Sequence, residues 1–157
     1  PSASARAAPP RRYASAPPAM ELVEVELARV VIHQKGDQQY LHLRERHGNR
    51  GFPIVIGYTE VEEINRKLAG VETPRPLTHD LIGRVLLSLG HRLARVVISE
   101  LREGTFFATL VLVPRDPDKA QGEKTVDCRP SDAIALAVQT GAPILVAREV
   151  FEVVADG

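Results

Sequence analysis

The stretch Pro74–Arg75–Pro76–Leu77–Thr78–His79–Asp80–Leu81 constrains the fold more than any other part of the sequence. Its two prolines hold the backbone extended and exclude helix before Leu77. Thr78 suits an N-cap, and apolar residues then recur at Leu81, Ile82, Val85, Leu86 and Leu89 as one helical stripe. Gly90 ends the run. The spacing predicts a buried helix with an imidazole (His79) and a carboxylate (Asp80) on its first turn. Arg129–Pro130–Ser131–Asp132 repeats the order of proline, hydroxyl and acid ahead of a second apolar helix, carried by Ala133, Ile134, Ala137 and Val138 and stopped by Gly141. The rest of the chain then reads as a sheet holding two helix starts in place.

From residue 21 to 32, Val23, Val25 and Leu27 alternate with Glu24 and Glu26 before Val30–Val31–Ile32 run on, a strand pattern. Lys35–Gly36–Asp37 signals a turn and residues 40–44 alternate again, which predicts a hairpin. Phe52–Pro53–Ile54–Val55–Ile56 is a short apolar strand, and Pro53 assigns it to an edge or a strand start. Gly57 leads into a helix with Thr59 and Glu62 in capping-box spacing and Val61, Ile64 and Leu68 on its apolar side, up to Gly70. Residues 93–101 and 105–113, divided by Arg102–Glu103–Gly104, predict a second hairpin. Residues 114–123 are polar and turn-rich, hence an exposed loop; 125–128 and 144–146 are short strands, and 149–154 a short helix. The order β-β-β-α-α-β-β-β-α-β-α predicts an α+β domain: a mixed, largely antiparallel sheet built from hairpins, with three to four helices packed on it.

At 157 residues and 44% hydrophobic, the chain suits one domain with a proper core. Residues 1–19 are nearly all Pro, Ala, Ser and Arg and cannot bury enough apolar surface to offset their ordering entropy, so they read as a disordered leader to a single domain over 20–157. The leader holds Arg6, Arg11 and Arg12 and no acid, which leaves 17 basic against 20 acidic groups in the remainder. That balance gives no global support for binding nucleic acid by phosphate neutralisation alone. The lone Cys128 excludes an internal disulfide and a cysteine-rich zinc site. With no apolar run of membrane-helix length and no secretory signal, the expectation is a cytoplasmic protein without membrane contact.

Three stretches taken together are more specific: Pro74–Arg75–Pro76–Leu77–Thr78–His79–Asp80–Leu81, then Glu103–Gly104–Thr105–Phe106–Phe107–Ala108, then Arg129–Pro130–Ser131–Asp132–Ala133–Ile134–Ala135–Leu136–Ala137. In this order and spacing they resemble the bifunctional nuclease (BFN) domain family over roughly residues 20–152, with Phe52–Pro53–Ile54–Val55–Ile56–Gly57, Glu60 and Ile64 matching its strand-to-helix segment. Val61 and Glu63 depart from the small residues the family places there, and residues 115–123 look like an insertion. The resemblance implies a compact dimeric α+β fold with DNase and RNase activity.

Two classes of function stay open at this level. As a nuclease, the chain would use His79 as general acid/base, with Asp80 and Asp132 as bases or metal ligands. Arg75, Arg129 and Ser131 would bind phosphate at the helix starts, and Glu60, Asp80 and Asp132 would make an oxygen-only site for Mg²⁺ or Mn²⁺ if they converge. Structurally, the same acids complement helix dipoles, Ser131 caps its helix, and Arg129 pairs with Asp132. Those roles suit a non-catalytic dimeric binding or regulatory domain with a pocket for an anion or a partner. Aromatic residues for stacking bases are sparse at 4%, which favours this second class. Glu103 in its turn, His33 and His42 on the first hairpin, and Cys128 at a strand end read as ordinary structural residues. The Pro117–Asp118 and Glu123–Lys124 pairs lack the spacing of a restriction-type nuclease motif.

Overall fold

A computed structural model describes residues 21–33, 38–119 and 122–156. The leader, the Lys35–Gly36–Asp37 turn and the middle of the 114–123 loop lie outside the described residues. Seven strands form one sheet: β1 (Leu22–Val31), β2 (Gln39–Glu45), β3 (Gly51–Ile56), β4 (His91–Arg102), β5 (Thr105–Pro114), β6 (Lys124–Cys128) and β7 (Ile144–Ala147). Four helices join them: α1 (Tyr58–Ala69), α2 (Thr78–Ser88), α3 (Pro130–Thr140) and α4 (Arg148–Val154). Element order and class are those expected from the sequence.

Within the sheet the strands run β3-β2-β1-β7-β4-β5-β6. Every neighbouring pair is antiparallel except β4 with β7. The parallel pair arises because β7 returns through α3 and slots between the two hairpin sets; a parallel neighbour needs such a crossover. Pro53 lies on β3, an edge strand, where its missing N–H costs no ladder bond. The 102–105 connection is a tight turn in which Glu103 and Gly104 both take positive φ, 50° and 76°.

The core runs from Leu41, Leu43 and Phe52 through Ile64, Val96 and Ile98 to Ile134, Leu136, Val146 and Phe151. Helix α3 lies deepest: Ser131, Ala133, Ile134, Ala135, Leu136 and Ala137 are all buried. Its alanines let neighbouring elements approach on several sides, and a helix apolar nearly all round belongs inside.

The other apolar stripe corrects the expectation of a buried α2. Leu81, Val85 and Leu89 are 54%, 46% and 70% exposed, and only Ile82 and Leu86 pack partly against the core. A helical stripe records which side chains share a face; here that face points away from the sheet. Leu68 on α1 is likewise exposed. The caps also differ. The N-cap positions are Gly57, Leu77 and Arg129, and Thr59, Thr78 and Ser131 lie inside their helices, without side-chain cap bonds. Proline fixes where a helix cannot begin, but the first helical residue is set by packing, one or two positions from the best local capper.

Candidate functional site

The start of α2 and the start of α3 meet. His79, only 7% exposed, bonds through Nε2 to Asp132 Oδ1 at 2.9 Å and through Nδ1 to Glu63 Oε2 of α1 at 2.6 Å. Arg129 continues the chain outward: its Nε and Nη2 donate to Asp132 Oδ2 and Oδ1 at 2.9 and 3.0 Å, and Nη1 donates to Glu60 Oε2 at 3.2 Å. The result is a line of hydrogen-bonded ionisable groups, Glu63–His79–Asp132–Arg129–Glu60, running from the interior to a guanidinium whose side chain is 63% exposed.

Local sequence explains the assembly. Glu60 and Glu63 are three apart on α1, hence on one face. Pro130 at the first turn of α3 puts Arg129 and Asp132 on either side of the helix start, within reach of each other. Gly83 lets α2 come close to α3: a Cβ there would stand 2.8 Å from Gln139 Nε2, which itself donates to the His79 carbonyl at 3.0 Å. Burial works against ionisation of Asp132, but hydrogen bonds from Arg129 and His79 outweigh it and hold the carboxyl below its ordinary value. The same contacts with Asp132, and then Glu60, raise Arg129.

Asp80 takes another direction. Its Oδ1 accepts from Lys67 Nζ at 2.8 Å and its Oδ2 from the Leu77 N–H at 2.9 Å, so it both closes the start of α2 and ties α2 to α1. Those two bonds, that with Lys67 foremost, hold its carboxyl below the ordinary value. Arg75 is exposed, on the lead-in to α2, and Ser131 is buried on the first turn of α3. Of the residues singled out from the sequence, the structure thus joins His79, Asp132, Arg129 and Glu60 in one network and sets Asp80 in a separate pair with Lys67. Glu63, Lys67, Gly83 and Gln139 complete the constellation. The departure of Glu63 from the family's small residue was the one trace of this in the sequence.

The donor set does not suit a divalent cation as it stands. Both Asp132 oxygens and Glu60 Oε2 face the Arg129 guanidinium, and Asp80 is committed to Lys67 and a backbone N–H. Among the described residues no group of three or more His, Cys, Asp or Glu side chains is arranged to hold a metal ion. Cys128 is no nucleophile: burial, with Asp132 and Asp127 nearby, pushes its thiol up to about 12.

A cleft of about 710 Å³ opens beside the α2 start, between α1, the 71–77 segment, α2 and the beginning of β4. Among the described residues no helix is long and apolar enough to cross a membrane.

Comparison with known proteins agrees with this architecture. Two curated proteins of Mycobacterium tuberculosis are each 42% identical to the chain over 123 residues, 78% of this chain and 70% of theirs: "Uncharacterized protein MT1877" of strain CDC 1551 / Oshkosh and "Uncharacterized protein Rv1829" of strain ATCC 25618 / H37Rv. The profile of the bifunctional nuclease domain matches residues 41–155, which span β2 to α4 and every member of the His79 network, and the chain therefore belongs to the bifunctional nuclease domain family.

Proposed function

We propose that the domain is a nuclease that hydrolyses phosphodiester bonds in DNA and RNA at the junction of the α2 and α3 starts. The observation that carries this reading is the His79–Asp132 bond, which brings an imidazole and a carboxylate from distant parts of the chain together behind an exposed arginine. Arg129, at the start of α3, is the group a phosphate meets first, and Arg75 stands on the lead-in to α2. A phosphate drawing Arg129 off Asp132 frees that carboxylate to take a proton from the attacking water, while the leaving oxygen is protonated from solvent. His79, held from behind by Glu63, orients Asp132. Ser131 lies on the first turn of α3, where backbone N–H groups favour an anion. A Mg²⁺ or Mn²⁺ requirement belongs to the reading as an arm of its test, since a cation between Glu60 and Asp132 would first have to displace Arg129. The reading includes a cytoplasmic homodimer, supported by the exposed Leu81, Val85 and Leu89 stripe of α2.

The test is cleavage of single-stranded DNA and RNA by the pure chain with Mg²⁺, with Mn²⁺ and with chelator. Asp132→Asn should lower the rate roughly 100-fold or more, while Asp80→Asn should stay near the parent. Cleavage equal in both variants and the parent would sink the assignment. Binding of these strands without cleavage would instead support a non-catalytic binding or regulatory domain. That second reading is favoured by the prior engagement of each network carboxylate with a basic partner.

A further inference from the structure

Three buried side-chain polar atoms have no hydrogen-bond partner among the described residues: Arg66 Nε, His91 Nε2 and Gln139 Oε1. They belong to α1, the first residue of β4 and α3, and all three residues line the 710 Å³ cleft. Polar atoms taken from water and left unpaired are costly, so three of them around one recess, from three elements, call for a common partner. The set holds one cationic donor, one amide acceptor and one imidazole nitrogen. Gln139 Nε2 is fixed on the His79 carbonyl, which leaves Oε1 as the open end of that amide.

The rest of the cleft specifies the partner's character. Leu86, Leu93 and Leu136 give it an apolar wall, and Leu93 and Leu136 are core residues. Arg75, Arg84 and Arg92 are exposed at its rim, and none of them makes an ion pair among the described residues. Of the acids in its lining, Glu63 and Asp80 are already paired with His79 and Lys67, which leaves Glu72, exposed on the 71–77 segment, as the one free carboxylate against three free guanidiniums among the described residues. The volume lies in the range of small-molecule sites.

We propose that this cleft binds a small organic phosphate of mononucleotide size. Its phosphate meets Arg66 and the rim guanidiniums, its flat body lies on the leucine wall, and an N–H donor on that body meets Gln139 Oε1. The inference goes beyond the cleavage reading and stands without it, although Glu63 and Gln139, which both touch His79, make the cleft a direct neighbour of that network.

The full chain is titrated by calorimetry and thermal shift with adenosine 5′-monophosphate, adenosine and inorganic phosphate. The nucleotide should bind more tightly than either fragment, and the Arg84→Ala/Arg92→Ala double variant should weaken it roughly tenfold. Arg66→Met should weaken binding by a similar factor while leaving the ligand-free melting temperature equal or higher, because it removes an unpaired buried donor. Asp132→Asn, expected to slow cleavage, should bind as the parent does, so failure of the cleavage reading leaves this one standing. No binding at millimolar nucleotide, fragments binding as tightly as the whole, or unchanged affinity in both the double variant and Arg66→Met would each overturn the proposal.

Discussion

Helices α2 and α3 open with the same device, a proline-stiffened lead-in followed by a hydroxyl and an acid, yet their fates differ. In α3 nearly every side chain from Ser131 to Ala137 is buried; in α2 the only buried residue is His79. The same local signal therefore produces a core helix in one place and a half-exposed one in the other. What separates them is the neighbourhood. Helix α3 carries small residues and is wedged among α1, β4 and β5, whereas α2 leans on β4 and α3 with one side only. Each helix nevertheless sends one polar group from its start to the same bond, His79 from α2 and Asp132 from α3.

The contrast is sharpest in stability. Ile134→Ala in α3 should cost about 2–4 kcal/mol, whereas Leu81→Ala or Val85→Ala in α2 should stay within about 0.5 kcal/mol. Denaturant unfolding measures both, and equal losses would erase the distinction between the helices. Next in size is the bond that joins them. His79→Leu leaves two partly buried carboxylates without their shared partner and should cost about 1–3 kcal/mol, more than any substitution on the outer face of α2.

Smaller again is the pH effect on α2. Because Asp80 is held below its ordinary 3.8 in the folded state, the stability it contributes is complete above that value and is lost as pH falls through the folded one. Its side chain is 34% exposed, so the contribution is less than about 1 kcal/mol. Asp80→Asn should therefore be less stable than the parent at neutral pH, with a gap that closes on acidification below about 4. A gap that stayed constant to low pH would show that the Lys67 bond does not carry it. Asp132 shifts in the same direction and adds to the acid sensitivity of the parent. The smallest effect on the folding of a single chain should come from Val85→Lys, near zero in urea midpoint. Light scattering on the same variant reads whether the exposed stripe joins two copies.

Strand and helix order was legible because it rests on local periodicity and on proline and glycine, which act over a few residues. Pro53 pointed to an edge or a strand start for β3, and the sheet order makes it an edge. Capping was less legible, since Thr59, Thr78 and Ser131 are good cappers that packing set inside their helices. Of the site, the Arg129–Asp132 pair could be read from three-residue spacing. The partners of His79 could not: Glu63 lies 16 residues away and Asp132 lies 53. Nor could Lys67 as the partner of Asp80, because that bond joins two helices across a non-helical connection.

By itself the sequence determined which segments are strands and helices, where prolines forbid helix, and which acids and bases stand at helix starts, all properties of neighbouring residues. Only the tertiary structure decided that the α2 stripe faces outward, that Asp80 turns to Lys67 and His79 to Asp132, and that three residues with an unpaired buried polar atom line one cleft. Those outcomes depend on how helices dock on a sheet, and docking is settled by the sum of many weak contacts between residues far apart in the chain.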